Sequence, residues 1–123
     1  MRTRLAVSVT AAAAGMLALA PQAWAADTDP PTAPANLRVV GTSGGQPVLE
    51  WDASADQEGT ISHYRVQVDG AQAYRPRVTS VKVYDLVRFC HVFAGHTYTI
   101  NVQAVDTAGN RSGPSNSMRV TVS

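Results

Sequence analysis

Residues 92–115 read VFAGHTYTINVQAVDTAGNRSGPS, and in their middle the apolar side chains fall on every second position. Tyr98, Ile100, Val102 and Ala104 share one phase, while Thr97, Thr99, Asn101 and Gln103 share the other. Successive side chains of a strand point to opposite faces, so this alternation predicts a long strand with a buried inner face and a polar outer one. Downstream, Asp, Thr, Gly, Asn, Ser and Pro crowd into a single run. Gly109-Asn110 tolerates positive φ, and a chain that turns there enters its last strand, MRVTVS, after Pro114. The run is a hairpin loop by composition, and no reaction can be read from it.

Working outward, HYRVQVDG (63–70) has the same period. Tyr64, Val66 and Val68 lie in one phase, and His63, Arg65, Gln67 and Asp69 in the other. Asp69-Gly70 predicts a tight hairpin because both residues accept positive φ. AQAYRPRV (71–78) returns as a weak strand that Pro76, lacking an N–H, confines to a sheet edge. Earlier, NLRVV sets Leu37 and Val39 against Arg38 and Val40, and PVLEWD sets Leu49 and Trp51 against Glu50 and Asp52. TSVKVYDLVRFCHV (79–92) is rich in strand-formers but holds two phases. Val81, Val83, Val87 and Phe89 fit one, Tyr84, Leu86, Cys90 and Val92 the other, so a bend or bulge near Tyr84-Asp85 is expected. Seven short strands in about 100 residues predict an all-β, two-sheet sandwich, with no helix in it.

The N-terminus has a different character. Arg2 and Arg4 precede the apolar run LAVSVTAAAAGMLALA, Pro21 breaks it, and Ala23-Trp24-Ala25 is a small-x-small pattern. These features predict a signal peptide over residues 1–25, cut after Ala25, and hence a secreted, extracellular product without a membrane anchor. Residues 26–34 form a Pro-rich extended arm, and residues 35–123 form the domain. Loss of the two arginines takes the formal charge from +1 to −1, which argues against nucleic acid or an anionic membrane as partner. Cys90 is the single cysteine, so it cannot staple its own domain. A buried, reduced thiol in a monomer is expected.

The combination of DPPTAPANLRV, Trp51 in LEWD, the Tyr64 strand and VFAGHTYTINVQAVDTAGNRSGPS resembles the fibronectin type III domain. The likeness is to the kind found in secreted bacterial, especially actinobacterial, polysaccharide-degrading enzymes, and it covers essentially all of residues 29–123. It implies a seven-stranded, immunoglobulin-like sandwich whose Tyr98 forms a tyrosine corner with an upstream backbone group. Val92 stands where the family usually has Leu and Ala94 where it has Pro, while Gly95 and Tyr98 match. Segment 79–91 is longer and more apolar than the family pattern. Trp51, Tyr64, Tyr98, Gly109 and Asn110 are therefore assigned structural roles.

Candidate chemistry is sparse. Cys90-His91 with His96 fits no zinc spacing. Asp52, Asp56 and Glu58 surround one loop, but they lack the closely spaced register of a calcium loop and the cleft of a glycosidase pair. No catalytic, cofactor-binding or metal-binding residue is assigned, and the chain is read as not an enzyme. A partner-binding face is expected at Arg65, Gln67, Asn101 and Gln103, provided their strands are neighbours. Tyr74 and Tyr84 are the rings expected to point outward for sugar stacking. The first functional expectation is a secreted, non-catalytic interaction module that binds an extracellular protein or polymer. The resemblance implies a second, a carbohydrate-binding accessory module in extracellular polysaccharide degradation.

Overall fold

The computed structural model describes residues 27–57 and 59–123. The signal peptide expected over residues 1–25 lies outside the described residues. Strands β1 (Ala35–Ser43), β2 (Gln46–Asp52) and β5 (Ser80–Lys82) form a three-stranded sheet in the order β1-β2-β5. Strands β3 (Ile61–Val68), β4 (Ala71–Tyr74), β6 (Thr97–Asp106) and β7 (Met118–Thr121) form a four-stranded sheet in the order β4-β3-β6-β7. Every pairing is antiparallel. The all-β sandwich read from the sequence is the fold.

The alternating strands bury the phase assigned to them. Leu49 and Trp51 of β2, Tyr64 and Val66 of β3, and Ile100, Val102 and Ala104 of β6 are all buried in one cluster. Trp51 meets Tyr64 edge to face, with ring centroids 5.4 Å apart, an arrangement favoured by the ring quadrupoles. The Tyr64 hydroxyl accepts a hydrogen bond from the Ser54 amide at 3.1 Å. At the β3–β4 turn Asp69 and Gly70 have φ of 51° and 86°, the two left-handed positions that a two-residue hairpin of this twist needs.

Three expectations require correction. Segment 79–92 is not a bent strand: after three residues of β5 the chain winds into a helix, α1 (Val83–Phe89). Val83 and Leu86 are fully buried, and Val87 and Cys90 pack beside them. Their spacing of three, four and seven is one face of a helix, whereas a strand would turn Val83 and Leu86 to opposite sides. A helix this short is marginal alone, so its packing against β2 and β5 sustains it. The Cys90 amide closes it on the Leu86 carbonyl, and His91 reverses the chain at φ 56°.

The second correction concerns Val39, which is half exposed while Leu37 is buried. The β1–β2 register shifts between Ala35 and Arg38, around Asn36 at φ 56°, so Leu37 lies in the irregular stretch and the alternation does not carry through to Val39. Leu37 is held from the other side of the sandwich: its amide donates to Asn116 Oδ1 at 2.8 Å, and Asn116 Nδ2 donates to its carbonyl at 3.0 Å. The third is Asn110. Gly109 alone takes the left-handed conformation, at φ 93°, and Asn110 acts through its side chain instead. Its Nδ2 donates to the Asp27 carbonyl and to Asp106 Oδ2, each at 2.9 Å, and so ties the N-terminal arm to the loop after β6.

The tyrosine corner implied by the resemblance is present: the Phe93 amide donates to the Tyr98 hydroxyl at 2.9 Å. This bond is solvent-accessible, so an orphaned Phe93 amide can turn to water. Tyr98→Phe is therefore expected to lower stability by about 0.5–1.5 kcal/mol, the net value of one ordinary hydrogen bond rather than a buried-donor penalty. The check is a urea midpoint that falls while the denaturant slope stays constant.

Candidate functional site

Strands β3 and β6 are neighbours in the four-stranded sheet, and their register places Arg65 opposite Gln103 and Gln67 opposite Asn101. The four expected residues thus form a two-by-two block on the outer face. All four are half-buried. Gln103 Nε2 donates to the Ser112 carbonyl at 3.0 Å. Arg65 Nε, Asn101 Oδ1 and Gln103 Oε1 are shielded from solvent and have no hydrogen-bond partner among the described residues.

Around the block stand cations whose convergence the sequence did not announce. Arg75, just past β4, brings Nη2 to 3.5 Å from His63 Nε2, and Arg77 follows Pro76. Arg111 runs alongside β6 through a bridge to Val105, which itself pairs with His63. Arg119 of β7 lies across from Thr99. Arg75, Arg77, Arg111 and Arg119 are all exposed. Both ion pairs among the described residues belong to Arg38 of the other sheet, with Glu50 at 2.8 Å and Asp52 at 3.1 Å. The charges on the outer face are felt locally. Burial and then Arg75, Arg77 and Arg65 lower the pKa of His63 from the ordinary imidazole value. Burial, followed by Arg111 and Arg75, likewise depresses Arg65.

The rings expected to point outward are not free platforms. Tyr74 packs against the core cluster. Tyr84 is 38% exposed, but its ring lies on Gly44: a Cβ there would meet Tyr84 Cδ1 at 2.5 Å. The Arg88 guanidinium sits 5.8 Å from the same ring centroid. Phe89 and Phe93 are more open, at 65% and 59%, and Phe89 owes its exposure to the helix that replaces the expected strand. Phe89 borders a hollow of about 390 Å³ shared with Gln72, Cys90, His91 and Tyr98.

Cys90 is half-buried, and its Sγ donates to the Ala73 carbonyl at 3.0 Å. Burial first, and Asp85 second, push its pKa up, the reverse of an activated nucleophile. The acidic residues assort differently from the sequence reading. Asp52 is engaged by Arg38, and Glu58 lies outside the described residues. Asp56 instead approaches Asp27 and Asp106 closely enough that one oxygen from each lies within 4.8 Å of the others. Asp106 is buried, and its Oδ1 accepts from the Ala108 and Asn110 amides at 2.9 and 2.8 Å. Burial alone would raise its pKa, but the hydrogen bonds from Asn110 and Ala108 outweigh that and lower it. The cluster reads as a pin between arm and loop.

Residues 29–121 match the family model described as the fibronectin type III domain. The chain belongs to the fibronectin type III family. It is similar to chitinase A1 of Niallia circulans, with 33% identity over 94 residues, and to chitinase Chi52 of Paenibacillus xylanexedens, with 35% identity over 97 residues. These matches cover 76% and 79% of this chain but only 12% and 17% of the two chitinases, so the chain spans a small part of their length. Among solved structures, the fibronectin type III domain of human fibronectin type III domain containing protein 3 superposes with a TM-score of 0.56 at 17% identity. That match covers 80% of this chain and 91% of the human domain and speaks to the fold alone. This fibronectin type III chain is therefore homologous to a module within bacterial chitinases.

Proposed function

We propose that this fibronectin type III chain is a secreted, non-catalytic module that assists extracellular polysaccharide degradation by holding glycan on the outer face of its four-stranded sheet. The observation that carries this reading is the block of Arg65, Gln67, Asn101 and Gln103, two facing pairs across β3 and β6 on the outer face of the sheet. Amides and a guanidinium on a flat lattice match the hydroxyls and ring oxygens of a sugar chain. The homology to a module of two chitinases supplies the setting. The non-catalytic part is supported by the thiol tied to a carbonyl, by Glu50 and Asp52 paired with Arg38, and by Asp106 held in the arm pin.

The test is incubation of the purified chain with a panel of insoluble and soluble polysaccharides. Retention on at least one polymer is expected, without release of reducing ends above a blank. Gln103→Ala with Asn101→Ala should weaken retention more than Tyr74→Ala with Tyr84→Ala does. Sugar release would overturn the non-catalytic reading, and the opposite ranking would move the site to the tyrosines.

A further inference from the structure

The outer face carries more information than affinity for sugar in general, because its charge is mostly of one sign, the acid of its outward phase, Asp69, standing at the hairpin end. Arg65 belongs to the block, Arg75 brings Nη2 to 3.5 Å from Nε2 of His63, two residues along the same strand from Arg65, and Arg111 bridges to Val105, the register partner of His63. Arg119 extends the set along β7. None of these guanidiniums has a carboxylate partner among the described residues. Asp69, the acid at the hairpin end of the sheet, is occupied with the Thr99 amide at 2.8 Å. The domain as a whole is near neutral, so this is segregation of charge and not an excess of it. Like charges gathered without counter-ions repel one another, and an anion laid among them relieves that repulsion while meeting a planar donor fork suited to carboxylate.

We infer that the outer face of the four-stranded sheet takes a carboxylate-bearing polysaccharide, with Arg65, Arg75 and Arg111 meeting the acid groups and Gln67, Asn101 and Gln103 meeting hydroxyls. An acidic protein surface suits the face less well. Protein interfaces rely on buried aromatic or aliphatic anchors, and the exposed large apolar side chains here are Val39, Val40, Val78, Tyr84, Phe89 and Phe93, all outside β3, β6 and β7. Single-stranded nucleic acid would want stacking rings on the same strands, where the block offers amides. The hydroxyls of Thr97 and Thr121, 2.8 Å apart, continue the polar lattice toward β7.

This inference rests on the glycan-holding role proposed above, and the experiment separates the two. The probes are polygalacturonate, the same polymer fully methyl-esterified, and poly-glutamate, each tested by affinity electrophoresis and calorimetry with the purified chain. Binding to polygalacturonate at least about tenfold tighter than to its methyl ester is expected, and it should weaken between about 0.05 and about 0.5 M salt. Arg75→Gln with Arg111→Gln, both exposed, should abolish the tenfold preference without moving the thermal midpoint, and Phe89→Ala should leave it intact. The His63 ring, followed by NMR, should titrate at higher pH with polygalacturonate bound, since carboxylates offset Arg75, Arg77 and Arg65. Equal binding of polygalacturonate and its ester overturns the charge inference and leaves the glycan role standing. Equal binding of poly-glutamate overturns it by showing a response to charge alone. Binding to none of the probes overturns it as well, and failure on the whole neutral panel too removes the glycan role.

Discussion

Trp51→Ala is expected to remove about 3–5 kcal/mol of stability, the usual cost of truncating a large buried aromatic. Trp51 is 1% exposed and lies in the cluster that joins the two sheets. It comes from β2 of the three-stranded sheet and meets Tyr64 of β3 in the four-stranded one. Its loss therefore opens a cavity at the seam rather than under one sheet. It also frees Tyr64, whose hydroxyl holds the Ser54 amide, so the loop after β2 should loosen in step. Small domains have roughly 5–15 kcal/mol in total, so the variant should be folded marginally, with a far lower urea midpoint by circular dichroism. Trp51→Phe should cost much less: Trp51 Nε1 has no acceptor among the described residues, so phenylalanine gives up volume but no hydrogen bond. A Trp51→Ala midpoint within experimental scatter of the parent would mean that Trp51 does not join the sheets.

Leu86→Ala is expected to cost about 2–5 kcal/mol, and it separates the helix from the strand reading of the same segment. In α1 Leu86 is completely buried together with Val83, while Phe89 on the same helix is 65% exposed. Phe89→Ala should consequently stay within about 0.5 kcal/mol of the parent despite removing the larger side chain. A strand would group Val83 with Phe89 and turn Leu86 away from them, so truncations of Val83 and Phe89 would rank together. Chemical denaturation of the three single variants Val83→Ala, Leu86→Ala and Phe89→Ala decides the matter. Large losses at 83 and 86 with little at 89 support the helix; losses at 83 and 89 with little at 86 would refute it.

The alternation of β3 and β6, the inward Leu49 and Trp51, and the Asp69-Gly70 turn were all legible in the sequence. Each depends on residues a few positions apart, where the pleat of a strand or the φ of a turn imposes its pattern directly. The partner of Tyr98 came from resemblance to the family, and the Phe93 amide fills that role five residues upstream. Segment 79–92 defeated local reading because β-branched and aromatic residues there satisfy a strand period in pieces and a helix period as a whole. The choice belongs to the space beside β2 and β5, which accepts Val83 and Leu86 on one side at once. The candidate site divides in the same way. Which residues of β3 and β6 face outward follows from their period of two, so Arg65, Gln67, Asn101 and Gln103 could be named from sequence. That Arg65 lies opposite Gln103, with Arg75 and Arg111 drawn in from the sheet edge and the last loop, is a matter of strand order and register. No local pattern encodes it, because electrostatic neighbours far apart in the chain meet only when the core has chosen how its strands pair.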